Sequence, residues 1–438
     1  MDYQEALEFL KDLTKFGFNF GLDRIKTLLN FLGNPEQNIK AIHIGGTNGK
    51  GSVAAMVSSI LTADAKKVGT FTSPHLHSYR ERIRINGRMI SEEEVADLLT
   101  EIRPLLEKMV AEGQEHPTEF EVNTAMALLY FSRQHVDLAV IEVGLGGLID
   151  STNVIHPLVA VITNVAMDHM DYLGNTIEEI ARVKAGIIKE NTVVVTGAAK
   201  PEVIAILQET CNNKGVPLIR VGDGIRYKLR SASLKGQEFD LKTPNSRYTS
   251  LRIPLIGKHQ VTNAAVAVGV IEGLREQGLS INKQAVAEGL MSAVWPARLE
   301  YFSGEPPILI DAAHNYDGAD ALADALLQYF KDKKLVLVIG MLADKEREKV
   351  MKRLASLAEV VVVTKPNSPR AGDWRQLASE AKPYVPQVEI EPGIAKAVNK
   401  AIDLAGKDHL VCITGSFYMV AEARQVVLEN GYPGRNIF

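Results

Sequence analysis

Short, unbroken apolar runs alternate along this chain with stretches whose apolar residues recur at helical spacing. The runs KAIHIG (40–45), DLAVIEVG (137–144) and LVAVITNV (158–165) are typical of strands that are buried on both faces of a parallel sheet. Stretches such as SVAAMVSSILTA (52–63) have the spacing of helices that cover such a sheet. The alternation therefore predicts an α/β fold with mostly parallel sheets.

This alternation is interrupted twice. Residues 225–256 predict a β-rich insert, after which helical spacing returns over residues 263–278. The second break, WPARLEYFSGEPP (295–307), is rich in aromatic residues, proline and glycine, and strands and helices alternate again after it. Because a chain of 438 residues exceeds one ordinary hydrophobic core, we predict two domains, 1–296 and 297–438.

Composition and charge exclude several classes of protein. Apolar residues make up 46% of the chain and charged residues 23%, which is typical of globular domains. A formal net charge of -4 provides no basic surface for nucleic acid or an acidic membrane, and no apolar run has the roughly 20 residues of a membrane helix. The N-terminus does not resemble a secretory signal, and Cys211 and Cys412 have no disulfide or metal-site spacing. We therefore expect a cytoplasmic protein that binds neither nucleic acid nor membranes.

The stretch IGGTNGKGS (44–52) lies between a predicted strand and a predicted helix, where phosphate-binding loops occur. It departs from the pattern G-x-x-x-x-G-K-[ST], because Ile44 replaces the first glycine and Gly51 separates Lys50 from the hydroxyl of Ser52. Glycines allow backbone N–H groups to turn toward a phosphate, and the lysine neutralises its charge. A tight turn with an exposed lysine is the alternative, but the four glycines in this context favour nucleotide binding.

Two further polar residues follow strands, at the sheet edge where α/β proteins bind ligands. Glu142 ends an apolar strand, and a carboxylate there requires a metal ion or a paired cation. It has the position of the acidic residue that serves Mg2+ in P-loop enzymes, and a buried salt bridge is the alternative. His169 follows the next strand, between Asp168 and Asp171, and is placed to converge on the same site. Mg2+ prefers oxygen ligands, however, and a lone histidine is more often structural.

Eight stretches occur in the order found in folylpolyglutamate synthases: GTNGKGS, TSPHL…ERIRING, FEVNTAMAL, EVGLGG…DSTNV, TNVAMDHMDYLG, KAGIIK, DAAHN and TGSFY. From Gly21 to the C-terminus the chain resembles these enzymes and the bifunctional dihydrofolate synthase/folylpolyglutamate synthases of the Mur ligase superfamily. The resemblance implies a Mur-ligase-like α/β fold, with a P-loop ATPase domain and a smaller Rossmann-like C-terminal domain. It also implies ATP-dependent ligation of glutamate to folates and to dihydropteroate through an acyl phosphate, with release of ADP and phosphate.

The resemblance assigns ATP to residues of both predicted domains. The positions that match ATP-binding residues are Asn48, Gly49, Lys50, Gly51, Ser52, Asn263, Arg298 and Asp311. His314 matches a histidine near the reacting groups, and it completes the expected catalytic set with Lys50 and Lys184. The alternatives are an ordinary surface charge for Arg298 and a polar turn after a strand for Asp311 and His314.

A magnesium site and a modified lysine are also implied. Ser73, Glu142 and His169 match the residues that hold Mg2+ in family members, and one or two ions are expected. Lys184 matches a lysine that is carbamylated in this superfamily, which converts a cation into a carboxylate-like group. An unmodified lysine would be repelled by Mg2+, so an ordinary lysine on a helix surface is the alternative.

The resemblance assigns fewer residues to the pterin and glutamate substrates than to ATP. The positions that match pterin-binding residues are Arg82, Thr118, Phe120 and Asp150, and Ser416 matches a position near glutamate. Phe120 also suits a core aromatic residue on its predicted helix. The family usually reads GLGGRLD where this chain reads GLGGLID, so Leu148 replaces an arginine at the edge of the pterin site. This departure leaves the substrate preference open.

Two other functions remain open from the sequence. The first is a Mur-type ligase that acts on a cell-wall precursor, although TSPHL and FEVNTAMAL favour folate. The second is a non-catalytic P-loop switch, which the expected metal residues and the second α/β domain disfavour. The expected partners are ATP, glutamate, and folate or dihydropteroate, and the expected state is a monomer.

Overall fold

An eight-stranded sheet is the largest feature of the computed structural model, which describes residues 1–17 and 19–433. Its strands are β1 (Ala41–Gly45), β2 (Val68–Phe71), β3 (Ile83–Ile85), β4 (Arg88–Met89), β5 (Leu138–Glu142), β6 (Pro157–Ile162), β7 (Val193–Thr196) and β8 (Leu218–Arg220). They lie in the order β4–β3–β2–β5–β1–β6–β7–β8. The pairs β2–β3 and β3–β4 are antiparallel and the remaining pairs are parallel, which confirms the predicted fold class.

Helices cover both faces of this sheet. They are α1 (Tyr3–Leu13), α2 (Asp23–Phe31), α3 (Lys50–Ala63), α4 (Glu92–Ala111), α5 (Glu119–Arg133), α6 (Met170–Leu173), α7 (Ile177–Ala185), α8 (Pro201–Lys214), α9 (Lys258–Glu276) and α10 (Lys283–Ser292). Short 3-10 helices span Thr14–Phe16, Pro35–Asn38, Tyr79–Arg82 and Ser151–Val154. Strand β1 lies inside the sheet, and all its residues are buried, which is why its sequence is almost unbroken in apolar residues.

The two faces of β1 pack into different cores. Ile42 and Ile44 pack with α3 and α9, whereas Ala41 packs with α4 and α5 on the other face. His43 alternates with the isoleucines and is fully buried on the Ala41 side. The strand therefore places one polar side chain inside the protein, directly before the phosphate loop.

The predicted β-rich insert is confirmed as a three-stranded antiparallel sheet. Its strands are β9 (Arg226–Ser233), β10 (Gly236–Lys242) and β11 (Arg247–Ile253), in the order β11–β10–β9. Phe239 and Leu251 of this sheet pack into the same core as α9. The insert is therefore part of the N-terminal hydrophobic core.

A second, six-stranded sheet forms the C-terminal part of the chain. Its elements are β12 (Glu300–Phe302), β13 (Ile308–Ile310), α11 (Tyr316–Tyr329), β14 (Lys334–Ile339), α12 (Arg347–Ala355), β15 (Val360–Val363), a 3-10 helix (Pro369–Ala371), α13 (Gln376–Ala381), β16 (Gln387–Ile390), α14 (Ile394–Leu404), β17 (His409–Thr414) and α15 (Phe417–Glu429). The strand order is β12–β13–β17–β14–β15–β16, and only the β12–β13 pair is antiparallel among the described pairs. The division at 296/297 falls between α10 and β12 and stays a prediction.

One predicted helix is shorter than expected. Helical spacing over TIEEIARVKAGIIK (176–189) predicts one continuous helix, but α7 ends at Ala185. A Cβ atom at Gly186 would lie 2.4 Å from the Cβ of Leu148, so the chain turns where another loop packs closely against it. Local periodicity does not contain this contact between distant segments.

No helix within the described residues, 1–17 and 19–433, is long and apolar enough to cross a membrane.

Candidate active site

The phosphate loop leaves β1 at Gly45 and enters α3 at Lys50. Gly46 has a φ of 134°, and a Cβ atom there would lie 1.9 Å from the Thr163 hydroxyl oxygen. Gly49 caps the helix with a φ of 85°. Both positions therefore require glycine, because their positive φ values disfavour other residues. At Gly46 the Thr163 side chain, directly after β6, also leaves no room for a Cβ atom. The first N–H groups of α3 have no partner within the helix, so they remain available to a phosphate.

The end of β6 holds the loop in place. The Thr163 hydroxyl donates to the Asn48 carbonyl at 2.7 Å, and the Asn48 backbone N–H donates to Asn164 Oδ1 at 2.8 Å. The Ala166 N–H donates to the Thr47 hydroxyl at 3.0 Å. Asn48 is therefore a structural part of the loop, since its backbone N–H and C=O are both engaged by β6 and the residues after it.

Two lysines converge on one backbone carbonyl of the loop. Lys50 Nζ lies 3.3 Å from the Gly46 oxygen, and Lys184 Nζ donates to the same oxygen at 3.0 Å. Lys184 is only 4% exposed, and burial together with the charge of Lys50 lowers its pKa to about 7. The alternative of an ordinary surface lysine is therefore wrong for Lys184.

Ser52 begins a buried row of polar side chains that leads to α9. Its hydroxyl accepts a hydrogen bond from Gln260 Nε2 at 3.3 Å, and Gln260 Oε1 accepts one from Asn263 Nδ2 at 3.0 Å. Asn263 also lies against the loop, because a Cβ atom at Gly49 would be 2.6 Å from its Oδ1. The sequence-predicted residues Ser52 and Asn263 thus lie together, joined by Gln260.

Glu142 ends β5 beside the loop, in register with Ile44 of β1. It is 5% exposed and accepts a hydrogen bond from the Ser73 backbone N–H at 3.3 Å. Burial raises the pKa of its carboxyl to about 7, although Lys50 and Arg298 act in the opposite direction. Among the described residues Glu142 forms no ion pair, so the alternative of a buried salt bridge is wrong.

His169 lies at the start of α6 in the left-handed conformation, with a φ of 50°. It is half-buried, and burial lowers its pKa to about 4. The Lys50 charge lowers the pKa of both His169 and Glu142, so both side chains lie near Lys50. The described residues contain no group of three or more His, Cys, Asp and Glu side chains with metal-site geometry. The set of Ser73, Glu142 and His169 stays a prediction.

Asp168 is the point at which the two domains meet. Its carboxylate accepts hydrogen bonds from Asn315 Nδ2 at 3.0 Å and from Lys345 Nζ at 2.5 Å. His314 Nε2 lies 3.5 Å from the same carboxylate, whose pKa is held far below its usual range by His314 and Lys345 against the effect of burial. Asn315 also exchanges side-chain hydrogen bonds with Asn48 of the phosphate loop. The strand ends of the C-terminal domain are therefore in contact with the loop.

Arg298 lies between α10 and β12, and Asp311 directly follows β13. The Asp311 carboxylate accepts hydrogen bonds from the backbone N–H groups of Leu299 and Ala313, at 2.8 and 2.9 Å. Burial raises the pKa of Asp311, and the Arg298 guanidinium opposes this shift. The charges of Asp311 and Glu142 both act on the half-buried Arg298, so the linker arginine is not an isolated surface charge.

The four expected pterin-binding residues lie at the end of one 3-10 helix (Arg82), at the start of α5 (Thr118 and Phe120) and directly before another 3-10 helix (Asp150). Arg82 donates to His75 Nδ1 at 2.9 Å and pairs with Glu119 at 3.7 Å. Phe120 is half-buried and stacks on Phe71 with ring centroids 6.0 Å apart. Arg82 therefore pairs with the residue that directly precedes Phe120 at the start of α5.

The side chains of Thr118 and Asp150 both accept hydrogen bonds from backbone N–H groups. Thr118 caps α5, with its hydroxyl and N–H bonded to Glu121. The Asp150 carboxylate accepts from the N–H groups of Leu145 and Thr152, at 2.7 and 3.0 Å. Leu148, which replaces the family arginine, is 53% exposed. The arginine position therefore faces solvent at the edge of this region.

Ser416 lies at the start of α15, directly after Gly415, whose N–H donates to the Ala313 carbonyl. It is 2% exposed, and its hydroxyl has no hydrogen-bond partner among the described residues. An unpartnered buried hydroxyl at a helix N-terminus is compatible with the expected glutamate position, which stays a prediction.

Sequence reasoning missed several residues that build the site. They are Thr163, Asn164, Gln260 and Lys345. Thr163, Asn164 and Lys345 follow the apolar strands β6 and β14, so their positions after strand ends were the available signal. Gln260 lies inside an apolar helix and gave no signal of this kind.

Known proteins resemble this chain over nearly its whole length. Residues 44–271 match the Mur ligase middle domain, and residues 297–417 match the glutamate ligase domain of Mur ligases. The dihydrofolate synthase/folylpolyglutamate synthase of Bacillus subtilis is 38% identical over 426 residues, which cover 97% of this chain and 98% of that protein.

Solved structures agree with this relationship. A Mycobacterium tuberculosis folylpolyglutamate synthase complexed with ADP is 35% identical, with a TM-score of 0.91 over 97% of this chain and 99% of that chain. E. coli FolC in complex with DHPP and ADP is 30% identical, with a TM-score of 0.88 over 98% of this chain and 99% of that chain. The phosphate loop, the two-domain cleft and these similarities lead to one conclusion: the chain belongs to the dihydrofolate synthase/folylpolyglutamate synthase family of the Mur ligase superfamily.

Proposed function

We propose that this protein uses ATP to join the amino group of L-glutamate to a carboxylate of folates and of dihydropteroate, releasing ADP and phosphate. The observation that carries the proposal is the contact between the phosphate loop and the C-terminal domain. Asn48 of the loop bonds to Asn315, and Asp168 bonds to Asn315 and Lys345. A nucleotide on the loop would therefore face polar groups of both domains, as a reaction between three substrates requires.

In the first step a carboxylate oxygen of the acceptor attacks the γ-phosphorus of ATP. The bond from that phosphorus to the bridging oxygen breaks, ADP leaves, and an acyl phosphate forms. The ammonium group of Lys50 and the free N–H groups at the start of α3 stabilise the charge on the transferred phosphoryl group. Arg298 and Asn263 serve the rest of the nucleotide, from the linker and from α9.

In the second step the amino group of glutamate attacks the acyl carbon. Phosphate leaves with the bridging oxygen, and the nitrogen loses a proton as the amide forms. We assign His314 a role near these atoms, and its ring is held in one orientation because Nδ1 donates to the Ala312 carbonyl at 3.0 Å and Nε2 lies 3.5 Å from Asp168. The contact between the domains keeps water from the acyl phosphate, which water would otherwise hydrolyse.

The residues at the end of β5 fit a magnesium ion by the chemistry of their donors. Glu142 is a buried carboxylate with one hydrogen bond from the protein and no paired cation among the described residues, so it has lone pairs to spare for a metal. Ser73 and His169 would complete the protein ligands of one or two ions. When bound, Mg2+ neutralises charge on the phosphates and so favours attack on the γ-phosphorus.

We further propose that Lys184 is carbamylated. A buried lysine with a pKa of about 7 is largely a neutral amine above pH 7, and only the neutral amine attacks carbon dioxide. The amine nitrogen forms a bond to the carbon of CO2, one proton is released, and an anionic carbamate results. The product would place a negative charge beside Lys50, where the unmodified side chain is a neutral amine or, once protonated, a second cation.

The carbamate proposal is tested by chemical rescue. Lys184→Ala should lose most glutamate ligation, and added acetate or propionate should restore part of it by supplying a carboxylate in the space left by the side chain. Lys189→Ala removes another lysine with a lowered pKa and serves as the control, which the acids should not affect. Full activity of Lys184→Ala without any added acid would contradict the carbamate role.

The cytoplasm and a monomeric state complete the proposed function. The two cysteines are free, buried and located in different domains, which suits a reducing compartment. A monomer is supported by a site whose two halves come from the same chain.

A paired assay tests the proposed function. Release of ADP is measured with ATP, glutamate and either tetrahydrofolate or dihydropteroate as the acceptor, and each substrate is left out in turn. We expect amide product and ADP to form only when both glutamate and an acceptor are present. ADP release without glutamate or acceptor would instead favour a P-loop switch, and activity only with a UDP-linked precursor would favour a cell-wall ligase.

A further inference from the structure

Three buried polar side chains form a row that connects β1 with the expected pterin region. His43 of β1 is 0% exposed, and its Nε2 lies 2.8 Å from the Thr152 hydroxyl oxygen. The Thr152 hydroxyl in turn donates a hydrogen bond to Asp150 Oδ1. Thr152 is 0% exposed and Asp150 is 6% exposed, so water does not compete for these bonds.

The chemistry of the row assigns its protons. A threonine hydroxyl carries one hydrogen, and here that hydrogen goes to the Asp150 carboxylate. The Thr152 oxygen then accepts, so His43 Nε2 is the nitrogen that carries a hydrogen. The Nδ1 atom of His43 is left with a lone pair that has no partner among the described residues.

This arrangement does not suit a residue that only fills space. An unpaired buried acceptor destabilises the folded state, so an apolar side chain would serve packing better at this position. The His43 side chain is also neutral, because burial and the charge of Lys189 lower its pKa to about 3. What the imidazole provides is one fixed N–H donor that the Thr152 oxygen can accept.

The fixed hydroxyl has consequences for the loop after β5. Asp150 Oδ2 accepts a hydrogen bond from the Leu145 N–H at 2.7 Å, which ties the carboxylate to the Gly144–Gly147 loop. Gly144 of this loop packs against the Phe120 ring, since a Cβ atom there would lie 2.4 Å from Phe120 Cζ. The orientation of Asp150 therefore sets the position of the surface that the Phe120 ring contacts.

We propose that His43 is a positioning residue for the acceptor substrate: through the Thr152 hydroxyl it orients the Asp150 carboxylate and the Gly144–Gly147 loop against which Phe120 packs. The proposal rests on the proposed function and on the expectation from the family resemblance that Asp150 and Phe120 bind the pterin. His43 lies only two residues before Gly45, at the start of the phosphate loop, yet its hydrogen bonds lead away from that loop. A change in this row of hydrogen bonds should therefore weaken binding of the acceptor and leave binding of ATP unchanged.

The test compares two changes of the same hydroxyl. Thr152→Val keeps the shape and removes the hydroxyl, and Thr152→Ser keeps the hydroxyl. Thr152→Val should raise the KM for the folate acceptor about tenfold, as expected for loss of a hydrogen bond to a charged group, while the KM for ATP stays within about twofold of wild type. Thr152→Ser should restore most of the lost acceptor affinity.

Thr192→Val is the matched control. Thr192 is also a buried threonine of the same domain, 1% exposed, and its hydroxyl donates to the Pro157 carbonyl away from the row. It should lose stability without a selective rise in the KM for the acceptor. Equal changes in both KM values for Thr152→Val, or the same kinetic profile in Thr192→Val, would overturn the proposal.

A spectroscopic readout does not depend on activity. In protein labelled with 15N-histidine, the His43 signals are assigned by their loss in His43→Asn, and they should show a neutral ring with the hydrogen on Nε2. Thr152→Val should shift the Nε2 signal. A hydrogen on Nδ1 would overturn the proposed row of hydrogen bonds. Wild-type protein that ligates glutamate to no folate would instead contradict the proposed function, while the NMR result would still decide the proton positions.

Discussion

At the scale of single residues, the site depends on where buried charge is placed. Lys50 and Lys184 both approach the Gly46 carbonyl, and Glu142 ends a strand nearby without an ion-pair partner among the described residues. Lys184 and Glu142 are unfavourable without a ligand because burial opposes the charged form of each. A bound nucleotide with its counter-ion would supply the missing partners, which explains why such groups collect at one sheet edge.

Lys50→Ala should nearly abolish ATP-dependent amide formation, because no other described residue of the loop carries a cation to the transferred phosphate. The side chain is only half-buried, so the fold should survive. Product formation is measured by chromatography and folding by circular dichroism. Lys15→Ala, at an exposed position in a 3-10 helix, is the control, and substantial turnover by Lys50→Ala would count against the phosphate role.

Lys184 should make stability depend on pH in buffer without carbon dioxide. Its pKa falls from 10.5 to about 7 on folding, so between these values the unfolded chain binds a proton that the folded protein does not. The free energy of unfolding therefore rises with pH across this range, by at most about 1.4 kcal/mol per pH unit from this group. Urea unfolding of wild type and Lys184→Met at pH 7, 8 and 9 should show that the variant lacks this contribution.

Lys235→Met, in the exposed turn between β9 and β10, controls for the loss of a lysine charge. It should keep the wild-type dependence on pH. Identical pH profiles for wild type and Lys184→Met would mean that the Lys184 amine is not buried as described.

At the scale of elements, the loop between β1 and α3 is shaped by its contact with β6. Thr163 and Asn164 hold the Asn48 backbone, and Gly46 passes within contact distance of the Thr163 hydroxyl. The usual loop pattern has Ser or Thr at position 51, whereas this chain has Ser52. The Ser52 hydroxyl is nevertheless held in place, because Gln260 of α9 donates a hydrogen bond to it. The departure from the usual loop pattern is thus accommodated by a partner helix.

Gly46→Ala should weaken ADP binding at least tenfold, because the new Cβ atom would lie 1.9 Å from Thr163 Oγ1 and the backbone there has a φ of 134°. Titration calorimetry measures the affinity. Gly113→Ala is the matched control, since Gly113 also has a positive φ, 82°, but nothing lies within 4 Å of its added Cβ. Wild-type ADP affinity in Gly46→Ala would show that the loop does not need this backbone path.

At the scale of the whole molecule, polar contacts at three places are among those that join the domains within the described residues. Asn48 of the phosphate loop bonds to Asn315, and Asp168, which follows β6, bonds to Lys345. The third contact is made by Arg424 of α15, which donates to both oxygens of Glu300 at 2.8 Å and lies 3.0 Å from His77 Nε2. Glu300 also accepts from the Ala297 N–H, so Arg424 holds the linker beside Arg298.

Arg424→Met should destabilise the protein by about 3–5 kcal/mol, because it leaves the buried Glu300 carboxylate without its partner. Both side chains are almost fully buried, at 2% and 6% exposure. Arg133→Met is the control: its pair with Glu101 is solvent-exposed and should contribute about 1 kcal/mol or less. Chemical unfolding measures the loss of unfolding free energy in both variants. Equal small losses would mean that the Arg424–Glu300 pair does not stabilise the protein.

Much of this organisation follows from the sequence because it is local. Apolar runs and helical spacing report which residues face a core, so the strands, the insert and the restart of the α/β pattern after residue 307 follow from periodicity. The strand–loop–helix order around residues 44–52 places the phosphate loop, and Glu142 is conspicuous because a carboxylate ends an apolar run. The sequence by itself also determined the family, through motifs in a specific order.

Only the tertiary structure decided which residues far apart in the chain are in contact. Nothing near Lys184 shows that it is buried against Gly46, since that burial comes from packing of α7 against the loop after β1. The Asp168–Lys345 pair and the His43–Thr152 bond likewise join segments 177 and 109 residues apart. Hydrogen bonds and desolvation depend on distances in space, and local periodicity carries no information on which distant polar groups meet once the cores have packed.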